Sequence, residues 1–181
     1  MPNRPFSLSL ALATFTLPGA AFAQVSGNQP ATSKVILLEQ ATFIEVRDLD
    51  FGSMVIPATG TGTLTVPADG TAPVYTDISP ISTSSPMRGR LIGAASASTA
   101  VQVDATLPSV LYLNGDPLAA TLPVNLTFDL APTTAGPPSI WNYTTDAAGV
   151  FNVYIGGTLS VPSTTATGEY SATFDVTATY P

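Results

Sequence analysis

GEYSATFDVTATY, residues 168–180, is the stretch that decides the fold of this chain. Apolar residues occupy every second position, and polar residues lie between them. Because successive side chains of a strand point to opposite faces, this pattern predicts a single last strand with one apolar face and one solvent-exposed face. We expect the apolar face to join the core of the protein through Tyr170, Ala172, Phe174, Val176, Ala178 and Tyr180.

Similar alternation recurs upstream and is interrupted every few residues by Gly and Pro. Residues 100–107 and 124–130 alternate clearly, and residues 149–161 form a longer apolar run in which Gly156-Gly157 predicts a bulge or bend. We count eight or nine short strands, with no helical periodicity after residue 23. The fold class that follows is all-β, a β-sandwich or a small barrel.

Two local signals concern the connections between these strands. Asn114-Gly115 predicts a two-residue β-hairpin. The only tryptophan, Trp141, falls in a Pro-rich stretch, residues 131–143, that we interpret as a loop. A tryptophan in such a loop either covers the end of a sandwich core or stacks on a sugar.

Composition excludes several classes of function. The 181 residues contain no Cys and no His, which excludes disulfides, the usual zinc sites and any mechanism built on either residue. The formal charge of −7 argues against a nucleic-acid partner. Asp48 and Asp50 could offer oxygens to Ca²⁺, but turn chemistry explains them better. We therefore expect no catalytic residues, no metal and no cofactor, and the protein is predicted not to be an enzyme.

The first 23 residues have the pattern of a secretory signal peptide. Arg4 supplies a positive charge, residues 6–17 are largely apolar, and Ala21-Phe22-Ala23 is a small-x-small cleavage site. The predicted organisation is a signal peptide (1–23), an N-terminal arm (24–38) and a β-sandwich domain (39–181). The mature protein is expected to be exported, passing through the periplasm to the cell surface or medium.

Four phrases in this order resemble a known family. They are LDFG at 49–52, TLTV at 63–66 followed by Asp69-Gly70, GGTL at 156–159, and the terminal stretch already quoted. Together they resemble an uncharacterised family of bacterial exported proteins, domain of unknown function 4402. That family in turn looks like spore coat protein U and the archaic chaperone–usher pilins. The resemblance covers about residues 35–180.

The resemblance implies an immunoglobulin-like, pilin-type sandwich that lacks its final strand. In such pilins a periplasmic chaperone fills the open groove, and the N-terminal arm of the next subunit then replaces the chaperone. Here the terminal strand would be the assembly edge, and the candidate donor segment would be Val35, Ile36, Leu37 and Leu38. The implied partners are copies of the chain or related subunits, a periplasmic chaperone and an outer-membrane usher.

The chain departs from the pilin pattern in two respects. It lacks the disulfide that many such pilins carry, and residues 35–38 form a continuous apolar run instead of an alternation. The run is therefore either a donor segment or the first strand of the domain itself.

The function that we predict is that of a non-enzymatic structural subunit of a surface fibre, assembled by strand addition. Two alternatives remain at this point, a small outer-membrane β-barrel and a secreted carbohydrate-binding β-sandwich that uses Trp141. The recovery of the protein in sheared fibres, in outer membrane or as a soluble sugar-binding monomer would separate the three.

Overall fold

The structure, a computed structural model, describes residues 42–81 and 85–180. Within this part the chain forms strands, turns and loops without a helix, which confirms the predicted all-β class. There are thirteen strands among the described residues, more than expected, because several are pieces of only two to four residues. They are β1 (Thr42–Arg47), β2 (Met54–Val55), β3 (Thr61–Val66), β4 (Val74–Thr76), β5 (Ser79–Pro80), β6 (Gly89–Ala94), β7 (Ala100–Ala105), β8 (Val110–Leu113), β9 (Thr121–Phe128), β10 (Ser139–Thr144), β11 (Val150–Pro162), β12 (Tyr170–Ser171) and β13 (Val176–Thr179).

The strands form a large sheet, a small sheet and a short ribbon. The large sheet has the order β1-β6-β11-β9-β8-β12, with β3 paired to β11 and β4 paired to β3. The small sheet has the order β10-β7-β13, and β2 pairs with β5 in the ribbon. All of these pairings are antiparallel. The large and small sheets pack against each other through their apolar faces, so the fold is a β-sandwich.

Strand β11 is the central strand of the large sheet. Its first half pairs with β6, its second half pairs with β3, and β9 pairs along its other edge. Gly156 lies where β6 gives way to β3. A Cβ there would collide with the backbone oxygen of Val66 and the backbone nitrogen of Ala68. The close approach of these backbones therefore explains why the strand has a glycine at this point.

The core consists of two clusters of buried side chains. The first lies between the sheets and includes Val101 and Val103 of β7 with Val153 of β11. The second lies on the large sheet and is covered in part by the segment that leads into the ribbon. Its buried members are Leu122, Val124, Leu126, Leu159 and Val161. Alternation over residues 100–107 and 124–130 predicts an inward face, because alternation on a half-buried strand specifies its faces. Every predicted inward residue is buried except Leu130, which is exposed; the buried ones are Val101, Val103, Ala105, Val124, Leu126 and Phe128.

The expectation of a two-residue hairpin at Asn114-Gly115 was wrong. Asn114 and Gly115 do adopt positive φ angles of 55° and 70°, but the β8–β9 connection is longer than two residues. Leu113 N donates to Ala120 O at 2.9 Å, and Asn114 N donates to Glu169 O at 2.7 Å. The turn chemistry was read correctly, but the register of β8 against β9 and β12 sets the loop length.

Trp141 was expected in a loop and instead lies in strand β10, paired with Val103 of β7. The prolines just before this strand made the whole stretch look irregular. Only the six residues of β10 carry the strand pattern, and they begin directly after the prolines. Burial of its alternate residues against the large sheet decides the structure here.

Candidate functional site

The terminal stretch contributes to both sheets. Strand β12 pairs with β8, where Tyr170 lies opposite Leu113. Strand β13 pairs with β7, where Val176 lies opposite Ala105. The expectation of one continuous strand was therefore wrong. A period-two pattern specifies which face of a segment is buried, but it does not specify the hydrogen-bonding partner, so the segment can change sheets while its alternation continues.

Burial alternates along this whole segment. The side chains at even positions from 170 to 180 are half-buried, and those at odd positions from 171 to 179 are exposed. Phe174, between the two strands, packs against both core clusters. The segment thus covers the core with a row of apolar side chains that stay partly accessible.

Strand β13 lies at one end of the small sheet, and β1 lies at one end of the large sheet, among the described residues. Both ends fall on the same side of the sandwich, because Tyr180, directly after β13, reaches Ala94, which is paired with Thr42 of β1. We call the region between β13 and β1 the open seam. Its half-buried apolar side chains are Phe43, Leu91, Phe174, Val176, Ala178 and Tyr180.

Two contacts organise the open seam. The rings of Phe43 and Phe151 stack with centroids 5.8 Å apart and planes 10° apart. Both residues lie opposite Gly93 of β6, on its two sides, and a Cβ at Gly93 would overlap the Phe151 ring. The sequence analysis missed Phe43 and Leu91. The signal for Phe43 was its place in the apolar stretch before Arg47, which we did not connect with the terminal strand.

Along β10, at the other end of the small sheet, the inward aromatic side chains are buried. Trp141 is 2 % exposed and packs on Phe128 with ring centroids 4.0 Å apart. Tyr143 donates its hydroxyl to Asp129 Oδ1 at 2.7 Å. Burial, and then the Asp129 carboxylate, raise the pKa of Tyr143 well above its ordinary value. The buried Trp141 ring is not available for stacking on a sugar.

A cavity of about 420 Å³ lies at the start of β13. Two carboxylates, Asp104 and Asp175, line it together with the hydroxyl residues Thr106, Thr173 and Thr177. Phe174 contributes an apolar wall. The cavity therefore presents negative charge beside the strand that borders the open seam.

One of the two acids considered as calcium ligands, Asp50, is bonded within the turn that follows it. Asp50 Oδ1 accepts a hydrogen bond from Gly52 N at 2.7 Å. A hydrogen bond with Asp48, followed by burial and charge repulsion, raises the pKa of Glu45. Among residues 42–81 and 85–180, no three acidic side chains come together as a set that could hold a metal ion.

Several predicted features lie outside the described residues. These are the signal peptide, the N-terminal arm and the candidate donor segment Val35, Ile36, Leu37 and Leu38. In the described part of the chain, no helix has the length and apolar character needed to cross a membrane.

Comparisons with known proteins give one match. No curated protein matches the chain, and no solved structure matches it. The model of the family described as Domain of unknown function (DUF4402) matches residues 41–180, which include every described strand. This match covers most of the chain and confirms the first resemblance drawn from the quoted phrases. The chain therefore belongs to the DUF4402 family.

Proposed function

We propose that this protein is a non-enzymatic structural subunit of a surface fibre, in which an extended segment of another subunit adds to the open seam. The observation that carries the proposal is the position of β13. It is an end strand among the described residues, and the apolar side chains beside it are only half-buried. The sandwich would be of the immunoglobulin-like, pilin type, as the likeness to spore coat protein U and archaic pilins suggests.

Two physical arguments support strand addition at this site. The outer edge of an end strand offers unpaired backbone N–H and C=O groups to an incoming strand. Such an edge promotes aggregation unless the protein uses it for a specific partner. Each Å² of apolar surface that an incoming strand covers contributes roughly 25 cal/mol. A segment inserted beside β13 would both extend the small sheet and cover the half-buried row of the open seam.

The apolar run Val35, Ile36, Leu37 and Leu38 is the proposed donor segment. Its side chains are all apolar, so they could cover the half-buried apolar side chains of the open seam. The segment precedes the first described strand by only a few residues. The proposed partners are copies of the same chain or related subunits. A periplasmic chaperone and an outer-membrane usher would handle the exported subunit before assembly.

Disulfide cross-linking tests the proposal cleanly, because the chain has no cysteine of its own. Thr177 of β13 is exposed and is changed to Cys, while one residue of the donor segment is changed to Cys in the same chain. Four such pairs scan Val35, Ile36, Leu37 and Leu38. The matched control places the first cysteine at Thr121, which is exposed on β9.

Strand addition between subunits predicts a ladder of disulfide-linked multimers for at least one Thr177 pair and no ladder for the Thr121 pairs. The bands are read on a non-reducing gel after oxidation of the exported protein. An intramolecular disulfide in a monomer would mean that residues 35–38 complete their own domain. That result, or the absence of cross-links from a folded protein, would overturn the proposal.

A further inference from the structure

The three arginines of the described residues cluster on the outer face of the large sheet. Arg47 of β1 lies directly opposite Arg90 of β6 in the strand register, and Arg88 lies just before β6. Tyr154 of β11 is the next cross-strand partner of Arg90. We call Arg47, Arg88, Arg90 and Tyr154 the arginine cluster. It concentrates positive charge in a chain with 12 acidic and 5 basic residues.

The guanidinium groups are held in place by neutral groups. The Arg88 Cζ lies 3.7 Å from the centre of the Tyr154 ring, and its Nη1 donates to Ala68 O at 2.6 Å. Arg90 donates Nε and Nη2 to Asn152 Oδ1 at 3.1 and 2.8 Å. A guanidinium has five N–H donors, so these bonds orient the groups and leave donors for a partner.

Arg47 is the most exposed member of the cluster. Its Nε donates to Arg88 O at 3.0 Å, another neutral acceptor. Like charges placed directly opposite one another on neighbouring strands oppose pairing. Arg47 and Arg90 are such a pair, and an anionic partner would relieve their repulsion.

Asp69, a carboxylate close enough to Arg88 to feel its charge, has hydrogen bonds of its own. Asp69 Oδ1 accepts hydrogen bonds from Thr71 N and Oγ1 at 2.9 and 2.8 Å. These bonds, more than the charge of Arg88, lower the pKa of Asp69. The arrangement differs from an internal ion-pair network, in which the carboxylates would take up the arginine donors.

An apolar residue extends the surface beside the arginines. Ile44 of β1 is 57 % exposed and lies opposite Ile92 of β6, on the outer face of the same two strands. Exposed apolar area next to arginine and tyrosine is the composition that protein–protein interfaces favour.

The outer face of the small sheet has the opposite charge. Asp104 of β7 lies opposite Thr177 of β13, and Asp175 immediately precedes β13. Both carboxylates line the cavity of about 420 Å³, and the other polar groups around it are threonine hydroxyls. The two outer faces of one sandwich are thus complementary in charge.

We propose that the arginine cluster of one copy of this chain binds the Asp104–Asp175 face of a second copy. A second copy of the chain fits the arginine cluster better than a small anion would. Every copy carries both faces, so the association can repeat. This contact uses the outer face of the small sheet, whereas strand addition would use the free edge of β13 and the open seam. It would hold copies side by side instead of end to end.

Charge reversal at the exposed members tests this contact in the mature chain. Arg47→Glu and Asp175→Lys are the two test variants, and Asp116→Lys is the matched control in the β8–β9 connection. Self-association is measured by sedimentation velocity at low and high salt, and folding is checked by thermal melting.

Each test variant should weaken self-association about five- to tenfold, because reversal replaces an attraction by a repulsion. Asp116→Lys should leave it unchanged, and a mixture of the two test variants should associate again through complementary faces. High salt should weaken the wild-type contact. Equal association of folded wild type and both test variants would overturn the proposal, as would an equal loss in Asp116→Lys. The disulfide ladder at Thr177 should persist in Arg47→Glu, which separates this contact from strand addition.

Discussion

The hydroxyl of Tyr180 donates a hydrogen bond of 2.8 Å to the main-chain oxygen of Ala94. Tyr180 follows the last strand of the small sheet, and Ala94 ends β6 of the large sheet. The bond therefore joins the two sheets at the side where neither β13 nor β1 has a further neighbour among the described residues. It holds the C-terminal end of the alternating segment against the core and marks one end of the open seam.

Tyr180→Phe should lower the free energy of unfolding by about 0.5–1.5 kcal/mol, the usual net value of one hydrogen bond. The ring keeps its apolar contacts, so the loss isolates the bond to Ala94. Urea denaturation at pH 7 measures it. Tyr154→Phe is the matched control, because it retains the ring on which Arg88 stacks, and it should be nearly neutral. An equal change in both variants would contradict a specific role for the Tyr180 hydroxyl.

Phe174→Ala should be far more harmful than Thr173→Ala. Phe174 packs against both core clusters, whereas its neighbour Thr173 is exposed. Truncation of a fully buried Phe costs about 3–5 kcal/mol, and a half-buried ring should lie at or below the lower end of that range. Chemical denaturation gives the two values, and the level of exported protein gives their consequence in the cell. Similar stability of the two variants would mean that the segment between β12 and β13 is not packed on the core.

Alkaline pH should destabilise the fold through Tyr143. Burial and the Asp129 carboxylate raise its pKa above the ordinary 10.0 that the unfolded chain retains. The neutral hydroxyl is favoured in the folded state, so its contribution is complete below pH 10 and is lost as the pH rises further.

The measurement is unfolding free energy from pH 8 to 11. Tyr143→Phe should start lower at pH 8, because it loses the bond to Asp129, and should then fall less steeply above pH 10. Parallel curves for wild type and variant would rule out Tyr143 as the origin of the alkaline transition. Burial also raises the pKa of Tyr180, so Tyr180→Phe should reduce the remaining slope.

Gly156→Ala should disrupt the joint between β11 and β3. The added methyl group would meet the backbone of Val66 and Ala68, which cannot move as a side-chain end can. We expect the free energy of unfolding to fall by at least the ~1–3 kcal/mol that an extra methylene group in a packed core usually costs. Ser160→Ala, on the outer face of the same strand, is the control and should be nearly neutral. A melting temperature equal to that of wild type would show that the backbones can separate at this point.

The sequence predicted the fold class because its patterns are local. Alternation over residues 100–105 and 122–128 specifies which side chains are buried, and these two strands supply much of the core. Glycine and aspartate at the turns limit each strand to a short length. The resemblance to the DUF4402 family also followed from short phrases in a fixed order, and the match over residues 41–180 confirms it.

The sequence failed where the pairing partner mattered. The terminal stretch has one unbroken alternation, yet β12 joins the large sheet and β13 joins the small sheet. The same limit explains the misjudged Asn114-Gly115 loop, whose length depends on the pairing of β8 with β9 and β12.

The sequence by itself determined the all-β class, the buried faces of the strands and the absence of Cys and His chemistry. Only the tertiary structure decided that Phe43 and Val176 border the same open seam, and that three arginines distant in sequence share one face. The physical reason is that side-chain alternation is a property of one strand. Neighbouring strands and sheets are chosen by backbone pairing and core packing between segments far apart in the chain.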